Sequence, residues 1–118
     1  MPSLTIPGSL PSLNEYIRLE RANKWGAATM KREATELVAA TASGMDKIEG
    51  PVVVSVVWHV RNRRMDPDNV VFAKKFVLDG LVLAGVLEDD SMAYIAGLRD
   101  EVVVDKENPR VEVEIVPG

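Results

Sequence analysis

Cysteine is absent from this 118-residue chain, so disulfides and thiolate metal sites are excluded. Histidine occurs once, at His59, inside the alternation of a strand pattern, where a structural role is expected before that of a ligand or base. Long apolar runs are also missing. The N-terminal stretch is only a few residues long and is broken by Pro2, Pro7 and Pro11, which excludes a signal peptide or membrane span there. A cytoplasmic location with no membrane partner is therefore expected. No internal repeat, linker or low-complexity segment appears, and the length leaves room for one domain, residues 1–118. With 47% hydrophobic residues, that domain has enough apolar surface for a core.

Net positive charge is lacking too. At −4 the chain looks ill-suited to nucleic acid, whose phosphates call for an excess of Lys and Arg. The average conceals a division. Met1 to Arg64 holds nine basic against six acidic residues, a balance of +3, whereas Met65 to Gly118 holds five against twelve, a balance of −7. Bound divalent cations would cancel part of the charge in the acidic half.

Ser3 to Ile6 reads as a short strand followed by a turn that Pro11 ends. Ser12 with Glu15 forms a capping-box pattern ahead of a helix carrying Leu13, Ile17, Leu19 and Ala22. A second helix is predicted from about Ala27 to Ser43, with Gly44 as its stop. Val52 to Val60 is the strongest strand signal and is apolar on both faces, the mark of a central strand. One helix is predicted from about Pro67 to Val86, and it is apolar on nearly every side. Its surplus needs either the helices of Ser12 to Ser43 or a second subunit to cover it. Two strands close the chain, Tyr94 to Asp105 and Arg110 to Val116, with Asn108 and Pro109 marking a hairpin turn between them. The order β-α-α-β-α-β-β predicts an α+β fold, a small mixed four-stranded sheet packed with helices.

Chemistry concentrates in Arg61-Asn-Arg-Arg-Met-Asp-Pro-Asp-Asn69, at a strand-to-helix junction. Asp66 and Asp68 repel one another unless a cation sits between them, and magnesium is satisfied by one or two carboxylates plus water and phosphate. Helix capping explains the same pair. A calcium-binding EF-hand loop is excluded, because Val71 and Val77 stand where glycine and glutamate are required. Asp66-Pro-Asp-Asn-Val70 also resembles the nucleophile motif of haloacid-dehalogenase phosphatases, a fold whose parallel sheet is larger than this chain can supply. The run Glu88-Asp-Asp90 fits either a solvated turn or a third arm of a carboxylate site. Lys75 and Asp79 form an i,i+4 pair, and Lys75, seven residues beyond Asp68, would share its side of one continuous helix. Tyr16 and Trp25 are candidates for base stacking, with packing the expected role of both. Arg18, Arg21, Lys24, Lys31 and Arg32 make the N-terminal helices basic, although Glu20, Glu33 and Glu36 are interspersed.

Asp66-Pro-Asp-Asn69, a lysine, Asp79-Gly-Leu81 and Ala84-Gly-Val-Leu87-Glu-Asp-Asp90 together resemble the core of the RusA family of Holliday-junction resolvases. Pro11-Ser-Leu-Asn14 with Tyr16 resembles that family's opening, and Val104-Asp-Lys-Glu-Asn-Pro-Arg-Val111 resembles its phage and prophage members. The resemblance implies a homodimeric endodeoxyribonuclease that binds four-way junctions and, with Mg2+ or Mn2+, nicks two opposed strands symmetrically to leave 5′-phosphates. By position it implies Asp66, Asp68 and Asp90 as metal-binding acids and Lys75 as the catalytic lysine. Asn69 would support the loop and, with Arg61, Arg63, Arg64 and Lys74, make up the DNA-facing set. Two departures accompany the match. The lysine stands three residues later than in the family pattern, so Lys74 competes for its role, and Met65 replaces the arginine that often precedes the first aspartate. A junction-binding protein that cuts poorly and a metal-dependent nucleotide hydrolase are the alternatives on the same residues.

Overall fold

The computed structural model describes residues 2–118. Strand β1 (Ser3–Pro7) leads to helix α1 (Leu13–Ala22), whose start the Ser12 capping box fixes in both directions. The Glu15 backbone N–H donates to Ser12 Oγ at 3.3 Å, and the Ser12 N–H donates to Glu15 Oε1 at 3.3 Å. Helix α2 (Lys24–Thr41) begins three residues before the predicted Ala27. Asn23, extended at φ −160°, ends α1 and caps α2 at once by accepting from the Trp25 N–H at 3.0 Å. Gly44, at φ +87°, sits just past the end of α2 in the left-handed region that glycine occupies without cost.

Strand β2 (Val52–Val60) is central, as its two-sided pattern predicts. The sheet order is β1-β4-β2-β3, with β3 (Ile95–Val104) parallel to β2 and β4 (Arg110–Pro117) antiparallel to both β2 and β1. The predicted β3–β4 hairpin is therefore corrected: Asn108 and Pro109 lie in a connection that carries the chain past β2 to its other side. A hairpin reading joins strands adjacent in sequence, whereas here the apolar β2 claims both neighbours and leaves β3 as an edge.

Val52, Val54, Val56 and Trp58 are all at most 2% exposed and share one face with Leu4, Ile6, Val111, Val113 and Ile115. Helices α2 and α4 (Lys74–Leu83) cover that face, and a single contiguous cluster forms the core. The opposite face, with Val53, Ser55 and Val57, is only half covered.

The helix predicted across Pro67 to Val86 is two helices, α3 (Pro67–Val71) and α4, separated at Phe72 and Ala73. Phe72 packs between Tyr16 and Phe76, with ring centroids 5.5 and 5.6 Å away. Much of the apolar surface of this region is taken up within the chain, since α4 buries Phe76, Val77, Leu78, Gly80 and Leu81, although Leu83 stays 61% exposed. Helix α4 packs tightly on α2 at Gly80, where an added Cβ would lie 2.4 Å from the Val38 Cβ.

Candidate active site

Strands β1, β2 and β3 end, and β4 begins, along one edge of the sheet, as the pairings Pro7 with Arg110, His59 with Arg110 and Val60 with Val104 require. Ligand sites of sheets with parallel strands favour the carboxyl ends of those strands. The basic segment Arg61 to Arg64 leaves β2 here and delivers the chain to α3.

Asp66 occupies the N-cap position of α3, with extended backbone (φ −69°, ψ 150°) and Pro67 beginning the helix. Its carboxylate makes no capping bond, so only the helix dipole favours it there. Asp68 accepts only the adjacent Asn69 N–H, at 3.0 Å. Both acids are exposed, and neither forms an ion pair among the described residues. Asn69 faces inward instead. It is 8% exposed and accepts the Asn14 backbone N–H at 2.9 Å, tying the start of α1 to the aspartate loop. Of the residues expected to face DNA, Asn69 is thus mostly buried and bonded within the fold.

The two lysines go to different places. Lys74, expected to face DNA, lies in the interior: it is 6% exposed, its Nζ lies 2.8 Å from Asp100 Oδ1, and it donates to the Arg99 carbonyl at 3.3 Å. The same Asp100 oxygen accepts the Trp58 indole N–H at 2.8 Å. A buried ammonium needs such a partner, and on a helix the next residue points about 100° away. That neighbour is Lys75, half exposed, with its Nζ 3.1 Å from Asp79 Oδ1 and 3.4 Å from Asp90 Oδ2. Hydrogen bonding to Asp79, aided by the charges of Asp79 and Asp90, raises the Lys75 pKa and keeps it cationic at neutral pH. The loop after α4 thus returns to the first turn of α4 and sets Asp90 beside Lys75.

Asp90 is drawn to Lys75 and does not join the other acids in a ready cluster. Among the described residues no three Asp, Glu or His side chains gather closely enough to hold an ion together. The donor chemistry nonetheless fits magnesium, which takes hard oxygen ligands, accepts one or two carboxylates and keeps several waters. Asp66 and Asp68 are uncommitted and water-accessible, as that coordination needs.

Arg61, Arg63 and Arg64 are exposed, and the Arg64 N–H donates to Asn62 Oδ1 at 3.0 Å. His59 pairs with Glu112 on β4, in the structural role expected of it. Tyr16 packs as expected, but Trp25 does not: it is 82% exposed at the α1–α2 corner. Asp100 escaped sequence reasoning altogether. Its only signal was an acid at an inward position of β3, opposite Val56 and diagonal to Trp58.

The family model described as endodeoxyribonuclease RusA matches residues 10–116, nearly the whole chain. No curated protein matches it.

Proposed function

Because the chain belongs to the RusA endodeoxyribonuclease family, we propose that it resolves four-way DNA junctions by magnesium-dependent paired nicks, acting as a homodimer in the cytoplasm of a host that carries it on a phage or prophage. The observation that carries this reading is the Lys75–Asp90 contact at 3.4 Å, which brings two separate segments of the motif onto one site.

Asp66, Asp68 and Asp90 would hold Mg2+, or Mn2+ in its place, which when bound lowers the pKa of water and offsets charge on the scissile phosphate. Lys75 enters as a fixed cation. Its raised pKa suits electrostatic stabilisation of a phosphate. The opposite charges of Lys75 and Asp90 hold each other in place until phosphate arrives. Arg61, Arg63 and Arg64 supply backbone contacts that position DNA without reading sequence. A two-fold dimer presents two identical sites to the two symmetry-related strands of a junction. The core within one subunit covers most of α4, so the half-covered sheet face around Val53 and Val57 is a candidate surface for a second subunit beside the exposed Leu83 end of the predicted helix.

A gel assay with labelled four-way junction, linear duplex and free nucleotide, with and without magnesium, tests the reading. Symmetric junction nicks that need magnesium are expected. Binding without cleavage would favour the binding-module alternative, and turnover of nucleotide alone would favour the hydrolase.

A further inference from the structure

A cleft lies one residue away from the aspartate loop, with Met65 in its lining. It is lined by the Gly8 to Leu10 turn after β1, by Arg61, Asn62 and Met65 after β2, and by Val60 with the largely buried Trp58 and Val70, which we call its floor. The chain carries 18 acidic residues, yet among the described residues no carboxylate lines this cleft, while Arg61, Arg110 and His59 do. Arg110 is already engaged, at 2.7 Å by Asp105 and at 3.6 Å by Glu112, and His59 is held by Glu112. Arg61 forms no ion pair among the described residues, so it is the cation left for a ligand.

The volume is about 130 Å³. A cavity of roughly 150 Å³ with apolar walls admits one benzene ring, so this cleft is on the scale of one planar ring rather than of a helix or strand. Apolar floor, polar rim and an unpaired guanidinium at the mouth are the three features of a site for a base with its phosphate.

We propose that this cleft takes one unstacked nucleotide next to the cut, its base on the Trp58, Val60 and Val70 floor and its phosphate at Arg61. The inference rests on the junction-nuclease reading for its source of nucleotide. A branch point supplies bases whose stacking is already interrupted, which lowers the cost of extruding one. Because Met65 lines the cleft and Asp66 follows it, a base seated here would set the register of the strand on the carboxylates.

Trp58 reports on its own floor once the exposed Trp25 is removed by Trp25→Phe. That variant is titrated in EDTA with thymidine, thymidine 5′-monophosphate and inorganic phosphate while emission is followed, and junction binding is measured separately by gel shift. The expected result is a saturable change with nucleoside and nucleotide, none with phosphate, and a nucleotide affinity at least fivefold above that of the nucleoside. Arg61→Ala should erase that advantage without affecting the nucleoside, and Val60→Phe should abolish both by filling the floor. Arg61 is exposed, so its variant folds even if Val60→Phe does not. An equal response to phosphate alone, or no saturable response to nucleoside or nucleotide, overturns the proposal. Failure to shift a junction while mononucleotide still binds removes the junction reading and upholds the cleft.

Discussion

The ammonium of Lys75 lies 3.4 Å from the carboxylate of Asp90, fifteen residues away in sequence, while its neighbour Lys74 is buried against Asp100. One helical turn therefore carries a catalytic candidate and a structural residue side by side, and they are separable by experiment. Lys75→Ala removes only exposed ion pairs, worth about 0–1 kcal/mol. Its melting temperature should stay within about 2 °C of the parent, while single-turnover junction cleavage falls by roughly 100-fold or more. Lys74→Ala leaves Asp100 without its cation and should destabilise by about 2–4 kcal/mol, the range for breaking a buried pair with some allowance for the partly exposed carboxylate. Cleavage per folded molecule should survive. Loss of cleavage in a fully folded Lys74→Ala protein would reverse the assignment.

Asp66→Asn, Asp68→Asn and Asp90→Asn should each reduce magnesium-dependent nicking by roughly 100-fold while junction binding in EDTA holds or tightens, because a negative charge near phosphate has been removed. Asp90→Asn differs from the other two in one respect. It also releases Lys75 from one of its two carboxylates, so its loss should be only partly recovered by raising magnesium. Parallel metal titrations of the three variants check this, and normal rates in any one of them take that acid out of the mechanism.

The elements whose cause is local were legible before any coordinates. The Ser12 and Glu15 box, the Gly44 stop and the central place of β2 each follow from residues within one or two turns or from one strand's own pattern. The misreadings come from long-range choices. Nothing near Phe72 signals a helix break; it arises because Tyr16, from α1, and Phe76 enclose that ring. The seven-residue phase argument from Asp68 to Lys75 assumed one continuous helix and loses its basis with the break, although Lys75 still emerges as the exposed lysine. Lys74 looked like a surface cation because its partner, Asp100, belongs to a strand 26 residues later. Trp25 looked like core because it is large and apolar, and the early start that Asn23 gives α2 turns it outward. The acids were identifiable as a set by resemblance, but their uncommitted state at Asp66 and Asp68 is visible only in three dimensions.

Gly80 sets the distance between α4 and α2. Gly80→Ala would gain about 1 kcal/mol of helix propensity, but its methyl would meet Val38 at 2.4 Å, far inside contact distance. Overpacking of this kind costs typically ~1–3 kcal/mol, so a net loss of up to about 2 kcal/mol is expected by urea denaturation. The double variant Gly80→Ala with Val38→Ala should be less destabilised than the sum of the two single changes, because the second removes the atoms that the first strikes. Strict additivity would show that the helices do not touch there.

Asp105, at the turn after β3, accepts from the Arg110 guanidinium at 2.7 Å and from the Asn108 N–H at 3.1 Å. The Arg110 hydrogen bond, followed by the Asn108 backbone bond, lowers its pKa below the ordinary 3.8. A carboxyl with a depressed folded-state pKa binds protons more readily when unfolded, so it adds stability above the unfolded value and loses it as pH falls through the folded one. Asp105→Asn keeps the shape and removes the charge. The gap in urea midpoint between parent and variant should therefore be constant from neutral pH to about pH 5, and then close below about pH 4 as the parent's carboxylate takes up its proton. A gap that widens on acidification would mean that Arg110 does not favour the ionised form. The same variant bears on the nucleotide cleft. With one of its two acidic partners gone, Arg110 joins Arg61 as an available cation at the rim, and thymidine 5′-monophosphate should bind more tightly while thymidine is unchanged. Equal effects on both ligands would place Arg110 outside the phosphate's reach.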